Sequence, residues 1–133
     1  MTGHERRLRE LLPEAQVHVS GSASLPGLGP GDLDLVALVD DVTAAAEILR
    51  PEYPELYPGE WRDDWAAFRD PGPPQVDIVL TRPGTLGDKY HRLAWELLAT
   101  RPDLLAEYRD LKATPDDYER RKREFFDRVV ALL

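Results

Sequence analysis

The chain has 133 residues and no cysteine, so it is long enough to fold as one domain (1–133), and disulfides, zinc–thiolate sites and cysteine nucleophiles are excluded. It carries 25 acidic and 17 basic residues, a net charge of -8, whereas proteins that grip duplex DNA or long RNA need a basic surface. With no apolar run near the roughly 20 residues that span a bilayer, and no apolar segment of a secretory signal, we expect a soluble cytoplasmic protein without membrane or long nucleic-acid partners.

The first forty residues alternate between helical and strand patterns. Leucines at helical spacing predict a helix over residues 4–12, which Pro13 ends. Apolar–polar alternation then predicts a short strand that ends at Ser20–Gly21. Glycines and prolines over residues 21–31 predict a structured turn region. The nearly continuous apolar run within residues 32–39 predicts a strand buried on both faces.

The middle of the chain predicts one more helix and a pair of strands. From Val42, apolar residues repeat at i, i+3, i+4 and i+7, which indicates a helix that Pro51 ends. Strands are predicted over Trp61–Arg69 and Gln75–Leu80, joined by a proline- and glycine-rich turn as an antiparallel hairpin. Trp61, Trp65 and Phe68 are able to stack on a nucleobase, but packing in the core or on the sheet is favoured.

The rest of the chain, from about residue 84, is predicted to be helical. Thr114 before a proline predicts the N-cap of the last helix. Two groups of charged residues are interpreted as solvated helical faces: Lys89, His91 and Arg92, and the run 119–124. The predicted fold class is therefore α/β (α+β), with a small mixed sheet of about four strands flanked by helices and a C-terminal helical portion.

Three acids form the most informative pattern in the sequence. Asp32 and Asp34 lie two residues apart at a strand entrance, so they share a face with Cα atoms roughly 6.5–7 Å apart. Asp77 points away from the apolar face of its own strand, and joins the pair if the two strands are neighbours. Carboxylates this close repel each other unless cations lie between them. We therefore expect Asp32, Asp34 and Asp77 to bind Mg²⁺ (or Mn²⁺), which prefers oxygen ligands.

The turn at Gly21–Ser22 supplies the features of a phosphate site. Glycine lets the backbone approach a phosphate closely, while backbone N–H groups and the Ser22 hydroxyl can donate to its oxygens.

These motifs together resemble a known superfamily. One pattern resembles the signature of the nucleotidyltransferase fold: Gly21-Ser22 is followed, after nine residues, by Asp32-Leu-Asp34-Leu, and a later acid stands at Asp77. The segment Gly-Ser-Ala-Ser-Leu-Pro-Gly-Leu is similar to the Gly-Ser-Thr-x-Val-Pro-Gly-Leu segment of the GrpB-like proteins. The turn Asp70-Pro-Gly-Pro-Pro74 and the helical stretch 89–112 also resemble that family, so the match covers nearly the whole chain. Many GrpB-like members lack the first acid of the pair, but this sequence keeps both.

The resemblance implies a metal-dependent nucleotidyltransferase that moves a nucleoside monophosphate from a nucleoside triphosphate to a small acceptor. Asp32, Asp34 and Asp77 would hold Mg²⁺ and the triphosphate, Asp77 would also help to deprotonate the acceptor hydroxyl, and Gly21 and Ser22 would position the outer phosphates. Two alternatives stay open: a non-catalytic nucleotide- or metabolite-binding module, and a protein-interaction partner. The short chain favours these, or a homo-oligomer that forms the acceptor pocket between subunits.

Overall fold

The computed structural model describes residues 3–25 and 32–133 of the chain. Its strands are β1 (Gln16–Ser20), β2 (Leu33–Leu38), β3 (Trp65–Asp70) and β4 (Val76–Thr81). Its helices are α1 (Gly3–Leu11), α2 (Val42–Leu49), α3 (Leu86–Asp88), α4 (Ala94–Thr100), α5 (Pro102–Ala113) and α6 (Tyr118–Ala131). A short 3₁₀ turn, Gly21–Ser24, follows β1, and a π-helical turn, Lys89–Leu93, joins α3 to α4. Residues 26–31 of the predicted turn region lie outside the described residues.

The strands form one mixed sheet in the order β1-β2-β4-β3. β2 and β4 are parallel neighbours at its centre, while β1 pairs antiparallel with β2 and β3 pairs antiparallel with β4. This arrangement confirms the predicted small mixed sheet and the hairpin of β3 and β4. The buried residues at the end of β2 confirm that this strand is covered on both faces.

One face of the sheet is covered by α1 and α2. Alternate residues of each strand point into this core, as the period of two requires. The predicted apolar face of β4, formed by Val76, Ile78 and Leu80, belongs to it. The helices contribute their apolar stripes to the same core, including Leu8 and Leu49, which have no exposed surface.

The C-terminal helices α4, α5 and α6 share a second core beside the opposite face. Its large members are aromatic: Trp95, Tyr108, Phe125 and Phe126. Trp95 and Tyr108 meet edge to face with ring centroids 5.2 Å apart, one of the arrangements that aromatic pairs prefer. This packing fixes α6 above the end of the sheet at which the acidic residues lie.

Two predicted boundaries were wrong. β3 begins at Trp65 rather than Trp61, because Arg62 and Trp65 exchange backbone hydrogen bonds across a tight turn. Thr114 is the C-terminal cap of α5 rather than an N-cap, and α6 begins four residues later, after Asp117 in a left-handed conformation (φ 56°). Within the described residues, no helix is both long enough and apolar enough to span a bilayer.

Candidate functional site

The candidate site lies on a row of four polar residues that crosses the sheet. In strand order the row is Ser20, Asp34, Asp77 and Arg69, one from each strand. Residues that pair across strands share a face, and neighbouring strands lie about 4.8 Å apart. The sheet therefore holds the Asp34 and Asp77 carboxylates side by side, with Ser20 and Arg69 at the two ends of the row.

Gly21, the first residue of the 3₁₀ turn, lies directly against the side chain of Asp34. Its φ is 63°, in the left-handed region that glycine adopts without steric cost. A Cβ atom at this position would lie 2.2 Å from Oδ2 of Asp34. Glycine is therefore required both for the turn and for the approach of the turn backbone to the carboxylate.

The environment of Asp34 opposes its negative charge. Burial, followed by the charge of Asp77, raises the pKa of Asp34 from 3.8 to about 6. The charges of Lys122 and Arg69 act in the opposite direction, and that of Asp32 adds to the rise. A like-charged acid pair with a raised pKa is the electrostatic pattern of a functional site and of a cation site.

Asp77 is held by a bidentate ion pair with Arg69. Nε and Nη2 of Arg69 donate to Oδ1 and Oδ2 of Asp77 at 2.6 and 2.9 Å. Two parallel hydrogen bonds from a guanidinium to a carboxylate are among the strongest charge-assisted hydrogen bonds in proteins. The ion pair raises the pKa of Arg69 further and fixes the rotamer of Asp77 at the floor of the site.

The C-terminal helix forms the roof of a cleft over this floor. The cleft has a volume of about 430 Å³, and α6 lines it with Glu119, Lys122, Arg123 and Phe126. These positions follow the spacing i, i+3, i+4 and i+7, so they form one stripe along the helix. The stripe is apolar where it enters the second core and charged where it faces Asp34 and Asp77. It therefore places two basic side chains at the acidic floor.

The π-helical turn provides one wall of the cleft. It contributes Tyr90 and His91, and Ser20 of the polar row donates its hydroxyl to the carbonyl of His91. Burial, and then the charge of Lys122, lowers the pKa of His91, so its imidazole is neutral at pH 7. The turn is anchored by Arg92, which donates at 2.6 and 2.7 Å to the fully buried carboxylate of Asp88.

The predicted site residues are brought together in part. Gly21, Asp34 and Asp77 all line the cleft. Asp32 is exposed just before β2, and Ser22 is half-buried in the turn; neither is among the residues that line the cleft. Among residues 3–25 and 32–133, no three acidic or histidine side chains are already grouped as a metal site. The metal and phosphate roles of these residues stay predictions.

The sequence interpretation missed the cleft residues of the helices. Most of the charged run 119–124 is exposed, as the sequence predicts, but Glu119, Lys122 and Arg123 also line the cleft. The signal was available, since all three continue the helical stripe of Phe126. The interpretation of residues 89–92 was wrong for His91, which lines the cleft, and for Arg92, of whose side chain 15% is exposed. A π turn adds a residue to the helical period, so a regular period misplaces this stretch.

The order of the strands and the flanking helices fit a nucleotidyltransferase-like fold. Among solved structures, the chain is similar to the crystal structure of conserved protein GrpB from Enterococcus faecalis, with a TM-score of 0.73. The two are 19% identical, and the match covers 96% of this chain and 88% of that chain. The fold is thus GrpB-like, as the resemblance implied. No family model matches the chain, and no curated protein matches it.

Proposed function

We propose that the cleft binds a nucleoside triphosphate with a divalent cation, and that the protein transfers the nucleoside monophosphate to a small acceptor. The observation that carries this proposal is the acid pair itself. Asp34 and Asp77 lie side by side, and burial and mutual repulsion hold the pKa of Asp34 at about 6. A cation between them relieves this repulsion, and Lys122 and Arg123 face the same space.

The chemistry of the floor fits Mg²⁺. Asp34 and Asp77 offer the hard oxygen donors that Mg²⁺ prefers, and exposed Asp32 lies two residues before Asp34. Both oxygens of Asp77 accept hydrogen bonds from Arg69. Because a carboxylate has about four lone-pair sites, lone pairs remain that can bind a metal ion. When bound, Mg²⁺ would supply charge stabilisation to the reacting phosphate and to the leaving pyrophosphate.

The chain's own residues account for binding and proton transfer. Lys122 and Arg123 attract the phosphates, and the Gly21 backbone supports them at the turn. The acceptor oxygen bonds to the α-phosphorus, the bond from the α-phosphorus to the bridging oxygen breaks, and pyrophosphate leaves. The acceptor proton passes to a base of the cleft, either the Asp77 carboxylate or the neutral imidazole of His91.

A second candidate is a nucleotide- or metabolite-binding module without catalysis. The ion pair of Arg69 with Asp77 favours it, because Arg69 already neutralises one of the two acids. The lack of a preformed group of three metal-binding side chains in the described parts of the chain also favours it.

Transfer of label from the α-phosphate tests the first candidate. The protein is incubated with Mg²⁺, α-labelled nucleoside triphosphates and a fractionated small-molecule extract. We expect label in an acceptor and equimolar pyrophosphate, while label on the γ-phosphate stays out of the product. Asp77→Asn should abolish transfer. Asp40→Asn, an exposed acid outside the cleft, is the matched control and should retain it.

The two candidates separate by outcome. Nucleotide binding without pyrophosphate release in any fraction would replace the enzyme with the binding module. If no nucleotide raises the melting temperature with Mg²⁺ or Mn²⁺ present, both nucleotide-binding accounts fail, and binding of another metabolite or a protein-interaction role remains.

A further inference from the structure

A second cleft adjoins the acid cleft and has no role in the chemistry described above. Its volume is about 420 Å³, and it shares Tyr90 and His91 with the acid cleft. Trp65, Leu86 and Arg62 line the part that lies beyond these two residues. Of the side chain of Leu86, 61% is exposed, so this part presents apolar surface that nothing in the described residues covers. The two clefts therefore adjoin each other at Tyr90 and His91.

The indole of Trp65 is held in a fixed position in this cleft. A Cβ atom on Gly87 would lie 2.8 Å from Cδ1 of Trp65, so the missing side chain lets the indole pack against the backbone of α3. Thr81 pairs with Trp65 across β3 and β4 and donates at 2.8 Å to the carbonyl of Asp64, the residue before it. A ring held by its surroundings is a preorganised stacking surface, because less rotamer freedom is lost when a ligand binds.

The other large aromatic rings near the site are engaged in internal packing. Trp95 lies between Phe126, at a centroid distance of 4.8 Å, and Tyr108, at 5.2 Å. Trp61 packs against Phe68 on the opposite side of the sheet. Trp65 packs with one side against the small cluster of Val36, Leu38, Ala67 and Val79, and its ring lies 6.0 Å from that of His91. Trp65 and Tyr90 are therefore the aromatic side chains that line this cleft with partial exposure, and Tyr90 has its hydroxyl bonded to Asp127 on α6.

The spacing between the clefts matches a two-part ligand. Trp65 lies four residues before Arg69 on β3, which places it about 13 Å from the row that holds Asp77. A molecule that reaches both needs an anionic head, a spacer and a planar apolar end. The ribose of a nucleotide is such a spacer, and its base has a π-face that stacks on indole.

We infer that the cleft at Trp65 is the nucleobase subsite, where the base stacks on the indole while the phosphates lie at Asp34, Asp77 and Lys122. This inference rests on the proposed nucleotide binding, and it assigns the specificity for the base to a surface separate from the phosphate site. Arg62, held to Trp65 by two backbone hydrogen bonds, lies at the edge of this cleft, where a base presents its polar edge.

Binding of matched ligands with and without a base tests the assignment. The probes are the α,β-methylene analogues of ATP and UTP, which cannot be cleaved at the α-phosphorus, and inorganic tripolyphosphate. Each is titrated with Mg²⁺ into the wild type, Trp65→Phe and Trp65→Leu by calorimetry. Trp65→Phe keeps an aromatic ring, while Trp65→Leu keeps apolar volume without one. Trp61→Phe is the control, and melting curves establish that each variant is folded.

We expect the better nucleotide analogue to bind the wild type more tightly than tripolyphosphate does. Trp65→Leu should weaken that analogue about 5- to 100-fold, the range that stacking on one base supplies, and should leave tripolyphosphate unchanged. Trp65→Phe should stay within a few-fold of the wild type. Quenching of tryptophan fluorescence by the analogue should persist in Trp61→Phe and decrease in Trp65→Phe, where Trp95 of the acid cleft accounts for any remainder.

Two results would overturn the inference in distinguishable ways. Equal affinities for tripolyphosphate and both analogues, or an unchanged analogue affinity in folded Trp65→Leu, would remove the base subsite and leave the phosphate site intact. Failure of tripolyphosphate and both analogues to bind the wild type with Mg²⁺ would remove the proposed nucleotide binding itself, and the subsite with it.

Discussion

Asp34 combines a partly buried carboxyl group with a like charge on the neighbouring strand. Its pKa of about 6 exceeds the ordinary 3.8, so ionisation of Asp34 costs free energy in the folded state that it does not cost in the unfolded state. Below about pH 4 the group is protonated in both states and the cost is absent. The cost develops as pH rises through 6 and reaches at most about 3 kcal/mol. The metal-free protein therefore loses stability from this group between about pH 4 and pH 7.

Asp34→Asn should remove this cost. At pH 7.5 without metal, we expect the variant to have a higher free energy of unfolding than the wild type by about 1–3 kcal/mol. The gain should shrink toward zero at pH 4, where the wild-type carboxyl is already neutral. Urea unfolding at both pH values measures it. In Mn²⁺ the order should reverse, because metal binding to the wild type adds stability that the variant cannot gain. A pH-independent difference would contradict the assignment.

At the scale of elements, the helical segment from α3 to α4 depends on one buried ion pair. The Asp88 carboxylate has no exposed surface, and it accepts from Arg92 and, at 2.9 Å, from the backbone N–H of Gly84. The pair spans the π turn between α3 and α4. It therefore holds the loop that precedes α3 and the turn that presents Tyr90 and His91 to the cleft.

Asp88→Asn leaves the largely buried Arg92 charge with only the exposed Glu96 as a charged partner. Breaking a buried ion pair by removing one member costs about 3–5 kcal/mol, so we expect a loss near the lower end of that range in the free energy of unfolding. Asp103→Asn, which breaks the exposed pair with Arg101 in the first turn of α5, is the control and should cost about 1 kcal/mol or less. Denaturant unfolding of the three proteins measures both. A loss no greater than that of the control would show that Asp88 does not anchor the turn.

The sequence predicted the elements whose periods are regular. The alternation in β2 and β4 placed Asp34 and Asp77 on faces that could meet, but periodicity does not specify which strands are neighbours, so their contact depended on the resemblance. The period of two failed at Trp61 and Trp65. An unbroken strand puts both on one face, but the turn at Arg62–Trp65 interrupts it and sends Trp61 to the opposite core.

At the scale of the whole molecule, the net charge of the chain is negative, but the cleft also presents basic side chains. The chain carries a net charge of -8, but the roof of the cleft presents Lys122 and Arg123 to the two partly buried acids. Two basic side chains therefore stand beside the acids Asp34, Asp77 and Glu119 in the lining of the cleft. The proposed binding of a small phosphate ligand would depend on these two side chains, whereas polyanions need an extended basic surface.

Lys122→Gln and Arg120→Gln change the net charge equally and separate the local effect from the overall one. Lys122 lines the cleft and lowers the pKa of Asp34, whereas Arg120 pairs with Asp117 and Glu124 on the exposed side of α6. We expect Lys122→Gln to weaken binding of Mg²⁺-tripolyphosphate about tenfold and to raise the pKa of Asp34 further; NMR titration of the carboxyl carbon follows the latter. Arg120→Gln should change neither. Equal effects of both variants would mean that only the net charge matters.

The residues at the floor of the cleft lie far before those of its roof along the chain, so the floor is synthesised first. At about 5–20 residues per second, a ribosome makes Asp34 and Asp77 several seconds before Lys122 and Arg123. Until α6 is made, water surrounds the acid pair, and repulsion between two charges 4 Å apart is only about 1 kcal/mol in water. The docking of α6 removes that water and strengthens the repulsion, but the same helix carries Lys122 to the site. The nascent chain thus receives a second compensating charge, beside that of Arg69, in the same step that covers the acids.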